Sequence, residues 1–428
     1  MLLTPAYSDR FLVVDPADDV SVEKTRRQVD KYFTRTRETF SAYGDSSDLA
    51  AVYLRVPSVA AFRRATGFMA RVLNEMGAPV TIQDAEGEQT YEPKNGVTAP
   101  AVKIFLPYKE GDQVRGGGQP MMYYYGPGSL VSELETGLLQ RLGPASVAAA
   151  NTREMCRIWP GVDFIDMAAR HCPDGSHNGF AYGAAVGSDA AKAAFNAKGF
   201  MGTSTDEAAH WFGAEEGMGT IPHKAVNAAR STLDAAKRYH AQFPAKPLIF
   251  LPDFFGREIT DSIAVGRHFN QLVLDGRLAA RLDTHGARYL EGLDLDKSHD
   301  MIEKYAPHML ERKLSPLEQK WLFDKGVSVA AVFHFREQMD AAGLQGMRIV
   351  ASSGFSAEKC ALFKEAGAPV DVVGTGSWLP RDLEETYAKS ETLGGLDSSG
   401  RLDLSAKEGR EWVISRWQRD AQKAGFKL

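Results

Sequence analysis

The sequence predicts an α/β fold, a barrel or doubly wound sheet carrying a smaller N-terminal α+β domain. Three observations carry that expectation. Across residues 141–401, short apolar runs alternate with helical patterns, as in βα units around a parallel sheet. One unit is complete in MRIVASSGFSAEKCALFKEAGAPVDVVGTG, where Ser356 caps a helix, Gly367 stops it and Pro369 precedes the next strand. Residues 199–224 hold two Gly-Thr pairs, Gly202-Thr203 and Gly219-Thr220, each closing a short apolar run. Between them lies helical spacing of Ala208, Ala209, Trp211 and Phe212. A strand end, a Gly-Thr turn and a new helix form the unit from which α/β barrels build polar sites at their carboxyl faces.

Composition narrows the classes. At 428 residues the chain has room for one large domain and a smaller one. Hydrophobic residues at 44% and charged residues at 25% give a globular balance. A net charge of −5 offers no basic field for a nucleic-acid backbone. No apolar run is long enough to span a membrane, and the N-terminus lacks the basic and apolar regions of a signal peptide. Cys156, Cys172 and Cys360 are scattered, which fits a reducing cytoplasm and excludes a disulfide framework or zinc knuckle.

In chain order, residues 21–40 read as one helix ending near Gly44, with Val22, Val29, Phe33 and Phe40 on one side. A second helix spans 58–75, and strands of a small sheet follow to about Tyr125. The RGGGQP segment at 115–120 lacks the Gly-Lys-Ser/Thr of a phosphate loop and reads as a hairpin turn. Ser132 and Glu135 form a capping box ahead of an apolar stripe of Leu134, Leu138, Leu139 and Leu142. The first domain is therefore expected over 1–140, completed by 402–428, whose helix (405–424) packs back on it. The α/β domain occupies 141–401, with strands over 246–252, a run ending at Leu282, 347–351 and 370–373.

Four segments project polar residues from strand ends. Arg170 follows an apolar run in DFIDMAARHCPDG, and its fork suits a planar carboxylate or a structural ion pair. Thr203 and Ser204 offer hydroxyls at a helix start, and His223 follows Pro222 in a bend. In RLDTHG, Asp283 suits Mg²⁺ or ribose hydroxyls and Arg281 suits phosphate or carboxylate, or the two form a plain strand-end salt bridge. The last segment is a pair of small turns, Ser352-Ser353-Gly354 and Gly374-Thr375-Gly376-Ser377. They end neighbouring strands, as in the phosphate cradles of sugar-phosphate barrels. No H-x-x-x-H pair or G-x-S-x-G elbow is present, and the His171 and His177 pair reads as loop content.

These motifs together resemble the nicotinate phosphoribosyltransferase family of type II phosphoribosyltransferases. GTST…GTIPH is similar to the family's GTSN…GT-x-x-H, closest to the branch with a proline before the histidine. DKYFTRTRE is similar to its opening D-x-YF-x-R-T-x-E, and GPGSLVSELETGLL to its GP…ELETPLL. MAARH stands where the family has FG-x-R-R/H, with Met167 at the ring-stacking phenylalanine, and RLDTHG where it has R-L-D-S-G. LPDFFGREIT takes the place of DTYDT, with Asp253 and Thr260 as counterparts whose role stays open.

The resemblance implies an irregular α/β barrel, and a cytoplasmic homodimer whose sites are shared, Tyr32 reaching into the partner's site to stack on the pyridine ring. It implies synthesis of nicotinate mononucleotide and pyrophosphate from nicotinate and phosphoribosyl pyrophosphate, with Mg²⁺. ATP is the implied co-substrate, phosphorylating His223. The implied roles are Arg170, Thr203 and Ser204 for the substrate and Arg281 and Asp283 for catalysis. Ser353, Gly354, Gly374, Thr375, Gly376 and Ser377 hold phosphate. Ser204, in place of the aspartate of nicotinamide-using members, points to nicotinate. Nicotinamide, quinolinate, or a catalytically silent nucleotide-binding paralogue are the alternatives.

Overall fold

A computed structural model describes residues 9–16, 18–115, 118–381, 388–396, 399 and 401–428. Expectations for residues 1–8, for the central glycines of the 115–120 turn and for part of the 393–401 connection lie outside these. The chain divides into two compact units, residues 1–150, 178–190 and 380–428, and residues 151–177 and 191–379. The first unit thus takes in a helical segment and a strand beyond the 1–140 and 402–428 read from sequence.

The first unit is built on a seven-stranded sheet in the order Leu402–Leu404, Ala388–Leu396, Ser47–Leu54, Pro120–Pro127, Val102–Phe105, Val80–Asp84, Gly87–Tyr91. Strand alternation gives it two apolar faces. Ala50, Val52 and Leu54 face a core with the Arg63–Glu75 helix and Leu134, Leu138 and Leu142. Leu49 and Ala51 face Phe105, Tyr123, Val413, Trp417 and Phe426, so the C-terminal helix packs back on the sheet as expected. Where that helix contacts the sheet, Tyr123 donates to Asp420 at 2.7 Å.

Four local expectations are corrected. The 21–40 helix is two, Val22–Gln28 and Lys31–Tyr43, because Val29 turns extended. At the break Asp30 bonds Thr136 through both its N–H and its carboxylate. The second helix begins only at Arg63, because Ser58–Val59 pairs as a strand with Gln113–Val114. No capping box forms, since residues 128–134 are already helical when the Glu135–Ile158 helix begins. Glu135 instead bonds Ser390, and burial raises its carboxyl to about 7. The C-terminal helix is Trp412–Ala424, because residues 405–411 form a non-helical connection through the left-handed Gly409.

Within the first unit two glycines set a backbone contact. A Cβ on Gly183 would lie 2.1 Å from the Ala145 carbonyl oxygen, and one on Gly187 would lie 2.1 Å from that of Ala149. The two positions are one helical turn apart, so the helices touch along a stripe without side chains. Gly187→Ala is expected to cost about 2–3 kcal/mol, as overpacking against rigid backbone does. A denaturant midpoint equal to that of the wild type would contradict this.

The second unit is a parallel sheet in the order Leu248–Phe250, Leu278–Leu282, Arg348–Ala351, Val372–Thr375, Asp163–Asp166, Gly199–Thr203. Residues 218–221 span the gap between its two edge strands. Met218 N–H donates to the Thr203 carbonyl at 2.7 Å, and Ile221 N–H to the Ile249 carbonyl at 3.0 Å. Ile165, Ile249, Ala279, Val350 and Val372, one from each of five strands, meet in one interior cluster. This is the irregular α/β barrel expected. The Ser356 cap and the helix Ala357–Glu365 also form as read.

Candidate active site

Residues two positions beyond an inward-facing strand residue share its face. Beyond Ile165, Ala279, Val350 and Val372 this layer contains Met167, Arg281, Ser352 and Gly374. Their proximity is direct, because a Cβ on Gly374 would lie 2.9 Å from the Met167 sulfur and 3.6 Å from Ser352 Cβ. Gly202 faces the same interior, where the Met218 thioether occupies the space its side chain would need.

Arg281 Nη1 donates to Thr220 Oγ1 at 2.8 Å and Nη2 to Asp283 Oδ2 at 3.2 Å. Its Nε is buried without a partner among the described residues, a donor left over for a ligand. Asp283 Oδ1 accepts from Ser352 Oγ at 2.9 Å. The salt bridge read from sequence therefore exists, as the middle of a chain from Thr220 to Ser352. Among the described residues no group of three or more His, Cys, Asp or Glu is arranged to hold a metal ion. A magnesium ion that keeps water and substrate phosphate ligands needs only one or two carboxylates, and Asp283 fits that role.

The two small turns lie at adjacent strand ends. Ser353 and Gly354 are exposed, with φ of +81° and +67°. Thr375 is buried, its hydroxyl donating to the Phe355 carbonyl at 3.0 Å and its own carbonyl accepting the Met167 N–H at 2.7 Å, so its side chain is committed to the fold. Gly376 admits no side chain, since a Cβ would lie 2.6 Å from the Met167 carbonyl oxygen. Ser377 is exposed.

Arg170 sits in the short turn Ala169–His171, exposed and without an ion pair among the described residues. Burial and the neighbouring Arg170 charge lower the His171 pKa. Ser204 is exposed, whereas the Thr203 hydroxyl is buried and donates to Asp166 at 2.7 Å. Asp166 also receives the Ala168 N–H at 2.7 Å and lies 3.1 Å from His177 Nε2. His177, read as loop content, instead opens the His177–Phe195 helix as a partner of this buried carboxylate. Tyr32, in the first unit, is 60% exposed.

His223 is the first residue of the His223–Ala229 helix. Its Nε2 lies 3.1 and 3.0 Å from the two oxygens of Asp253, a buried carboxylate. A carboxylate can only accept there, so the contact favours the neutral tautomer with its proton on Nε2 and its lone pair on Nδ1. Arg288 fixes the Asp253 carbonyl at 2.8 Å and is itself held by buried Glu258. Thr260, the other open position, bonds Glu291, which also accepts the Ile259 and Thr260 N–H groups at the start of the Glu258–His268 helix. His285 accepts from the Ala287 N–H within its own turn. Sequence reading missed the His223–Asp253 pair and the Asp166 network. Their local signals were slight: Asp166 ends a short strand, and Asp253 lies just after one.

Structural comparison returns the type II phosphoribosyltransferase fold. Nicotinate-nucleotide pyrophosphorylase from Pyrococcus furiosus aligns with a TM-score of 0.57 at 15% identity, over 96% of this chain and 98% of that one. Human nicotinic acid phosphoribosyltransferase aligns with a TM-score of 0.50 at 15% identity, over 86% of this chain and 75% of that one. At these identities the likeness is one of fold. No protein-family model matches the sequence, and no curated protein matches it. Among the described residues no helix is long and apolar enough to cross a membrane.

Proposed function

We propose that this protein is a nicotinate phosphoribosyltransferase that joins nicotinate to phosphoribosyl pyrophosphate. The observation that carries the reading is the polar layer above the apolar barrel interior. Arg281, Asp283 and Ser352 form one hydrogen-bonded chain there, beside two small turns suited to phosphate. The fold shared with two pyridine-nucleotide enzymes supports it.

In this reading the pyridine nitrogen attacks the anomeric carbon, the new C–N bond forms, and the C–O bond to pyrophosphate breaks with its electron pair leaving on oxygen. Arg281 stabilises the departing charge, and the 352–354 and 374–377 turns hold the phosphates. Asp283 orients Arg281 and would be the protein's contact to a Mg²⁺ ion, which would offset charge on the pyrophosphate. Arg170 takes the nicotinate carboxylate, and Ser204 leaves that carboxylate unopposed by like charge. His223 Nδ1 attacks the γ-phosphorus of ATP, forming an N–P bond as ADP leaves, and Asp253 holds the Nε2 proton. We further propose a homodimer in which Tyr32 of one protomer serves the site of its partner.

The test is pyrophosphate release from phosphoribosyl pyrophosphate with nicotinate, nicotinamide or quinolinate, each with and without ATP. Release with nicotinate, stimulated by ATP, is the expected result. Preference for quinolinate or nicotinamide would reassign the substrate. Silence with all three, alongside retained mononucleotide binding, would mark a non-catalytic binder.

A further inference from the structure

We propose that Lys359 is a positioning residue for the anion-binding turn at 352–354, holding the Ser353–Gly354 peptide so that its N–H faces the ligand. The proposal deepens the phosphoribosyltransferase reading and rests on it for the identity of the anion.

Lysine is almost never fully buried unless paired with a carboxylate. Lys359 is 4% exposed and makes no ion pair among the described residues. Its ammonium donates instead to the Ser353 carbonyl at 3.0 Å, and lies 4.4 Å from the Phe355 ring centroid and 5.5 Å from that of Phe363. The residue it grips is unusual. Three non-glycine residues among those described have positive φ: Asn196, Arg230 and Ser353. Asn196 and Arg230 end helices, where a left-handed residue is routine. Ser353 ends no helix, so its conformation is held by local contacts at the site.

The peptide geometry gives the contact a purpose. All described peptide bonds are trans, and in a trans peptide the C=O and the following N–H point in opposite directions. Drawing the Ser353 carbonyl inward to Lys359 turns the Gly354 N–H outward, and that N–H has no acceptor among the described residues. A buried cation directly behind an outward N–H is a preorganised anion site.

The arrangement is costly to the fold. Burial pushes the Lys359 ammonium down to about 8 from its ordinary 10.5. Lys320 on the Pro316–Phe323 helix lowers it further, while Cys360 on its own helix and Asp283 at the adjacent strand end oppose the shift. With a folded pKa below the unfolded one, the native state binds fewer protons between about pH 8 and 10.5, so the charged form works against folding at neutral pH.

The experiment is calorimetric titration of the full chain with inorganic pyrophosphate at pH 7 and 9, for wild type, Lys359→Met and Lys359→Arg, with thermal unfolding of each. Lys359→Met is expected to bind about tenfold more weakly while its Tm equals or exceeds that of the wild type. Wild-type affinity should fall more between pH 7 and 9 than that of Lys359→Arg, whose side chain stays charged. Comparing the two profiles cancels the ionisation of pyrophosphate itself. Unchanged binding by Lys359→Met would overturn the role of Lys359 alone, and so would a parallel loss of Tm and affinity. Absence of pyrophosphate binding by the wild type would instead overturn the anion reading of the turn.

Discussion

Arg281→Met is expected to lower kcat/KM for pyrophosphate release by about 10³-fold, the scale of losing one preorganised charge-stabilising donor. Arg281 is the guanidinium in the interior polar layer, and its side chain is 14% exposed. Two of its nitrogens are committed to Thr220 and Asp283, and the third is buried without a partner among the described residues. Removing it takes away the counter-charge of Asp283 and, on the proposed reading, the charge that meets the leaving pyrophosphate. An ammonium cannot reproduce the planar fork of a guanidinium, so Arg281→Lys should fall between the two, about 10- to 10²-fold down. Steady-state kinetics on variants with wild-type melting curves checks this. If Arg281→Met retains wild-type kcat/KM, phosphate is not bound at this layer.

His223→Ala is expected to abolish phosphoenzyme formation from ATP while leaving slow, ATP-independent pyrophosphate release. The imidazole is half-buried, held through Nε2 by both oxygens of Asp253, and starts a helix after Pro222. Asp253→Asn keeps the shape but removes the charge and puts an NH2 donor in place of one oxygen, which favours the tautomer with its lone pair on Nε2. By analogy with other His–Asp pairs the slowing should approach about 10⁴-fold. Acid-stable and acid-labile phosphate counts after mixing with γ-labelled ATP distinguish the outcomes. Undiminished labelling of the Ala variant would place the phosphoryl group elsewhere, and undiminished labelling of the Asn variant would remove Asp253 from the step.

Much of the site is legible in the sequence because it follows strand periodicity. Arg281 stands two residues beyond Ala279, and Ser352 two beyond Val350, so an inward apolar residue points its polar successor into the same mouth. The turns at Ser353-Gly354 and Gly374-Thr375-Gly376 announce themselves by composition, since small residues tolerate left-handed backbone and close approach. Helix boundaries were less legible where a tertiary contact competes with local propensity. Asp30 leaves its helix to bind Thr136, and Ser58 pairs in a strand.

Alternation, caps and turn chemistry are properties of neighbouring residues, so the chain alone specified a parallel α/β unit with a polar rim and a smaller α+β unit. What it left open are the contacts between groups far apart in sequence. His223 meets Asp253 across 30 positions, and Thr203 is drawn to Asp166 across 37. Lys359 is buried by packing, although its place on a short helix resembles that of any exposed lysine. These depend on how separate elements dock. Docking energy is summed over many side chains at once, and no single stretch of sequence contains that sum.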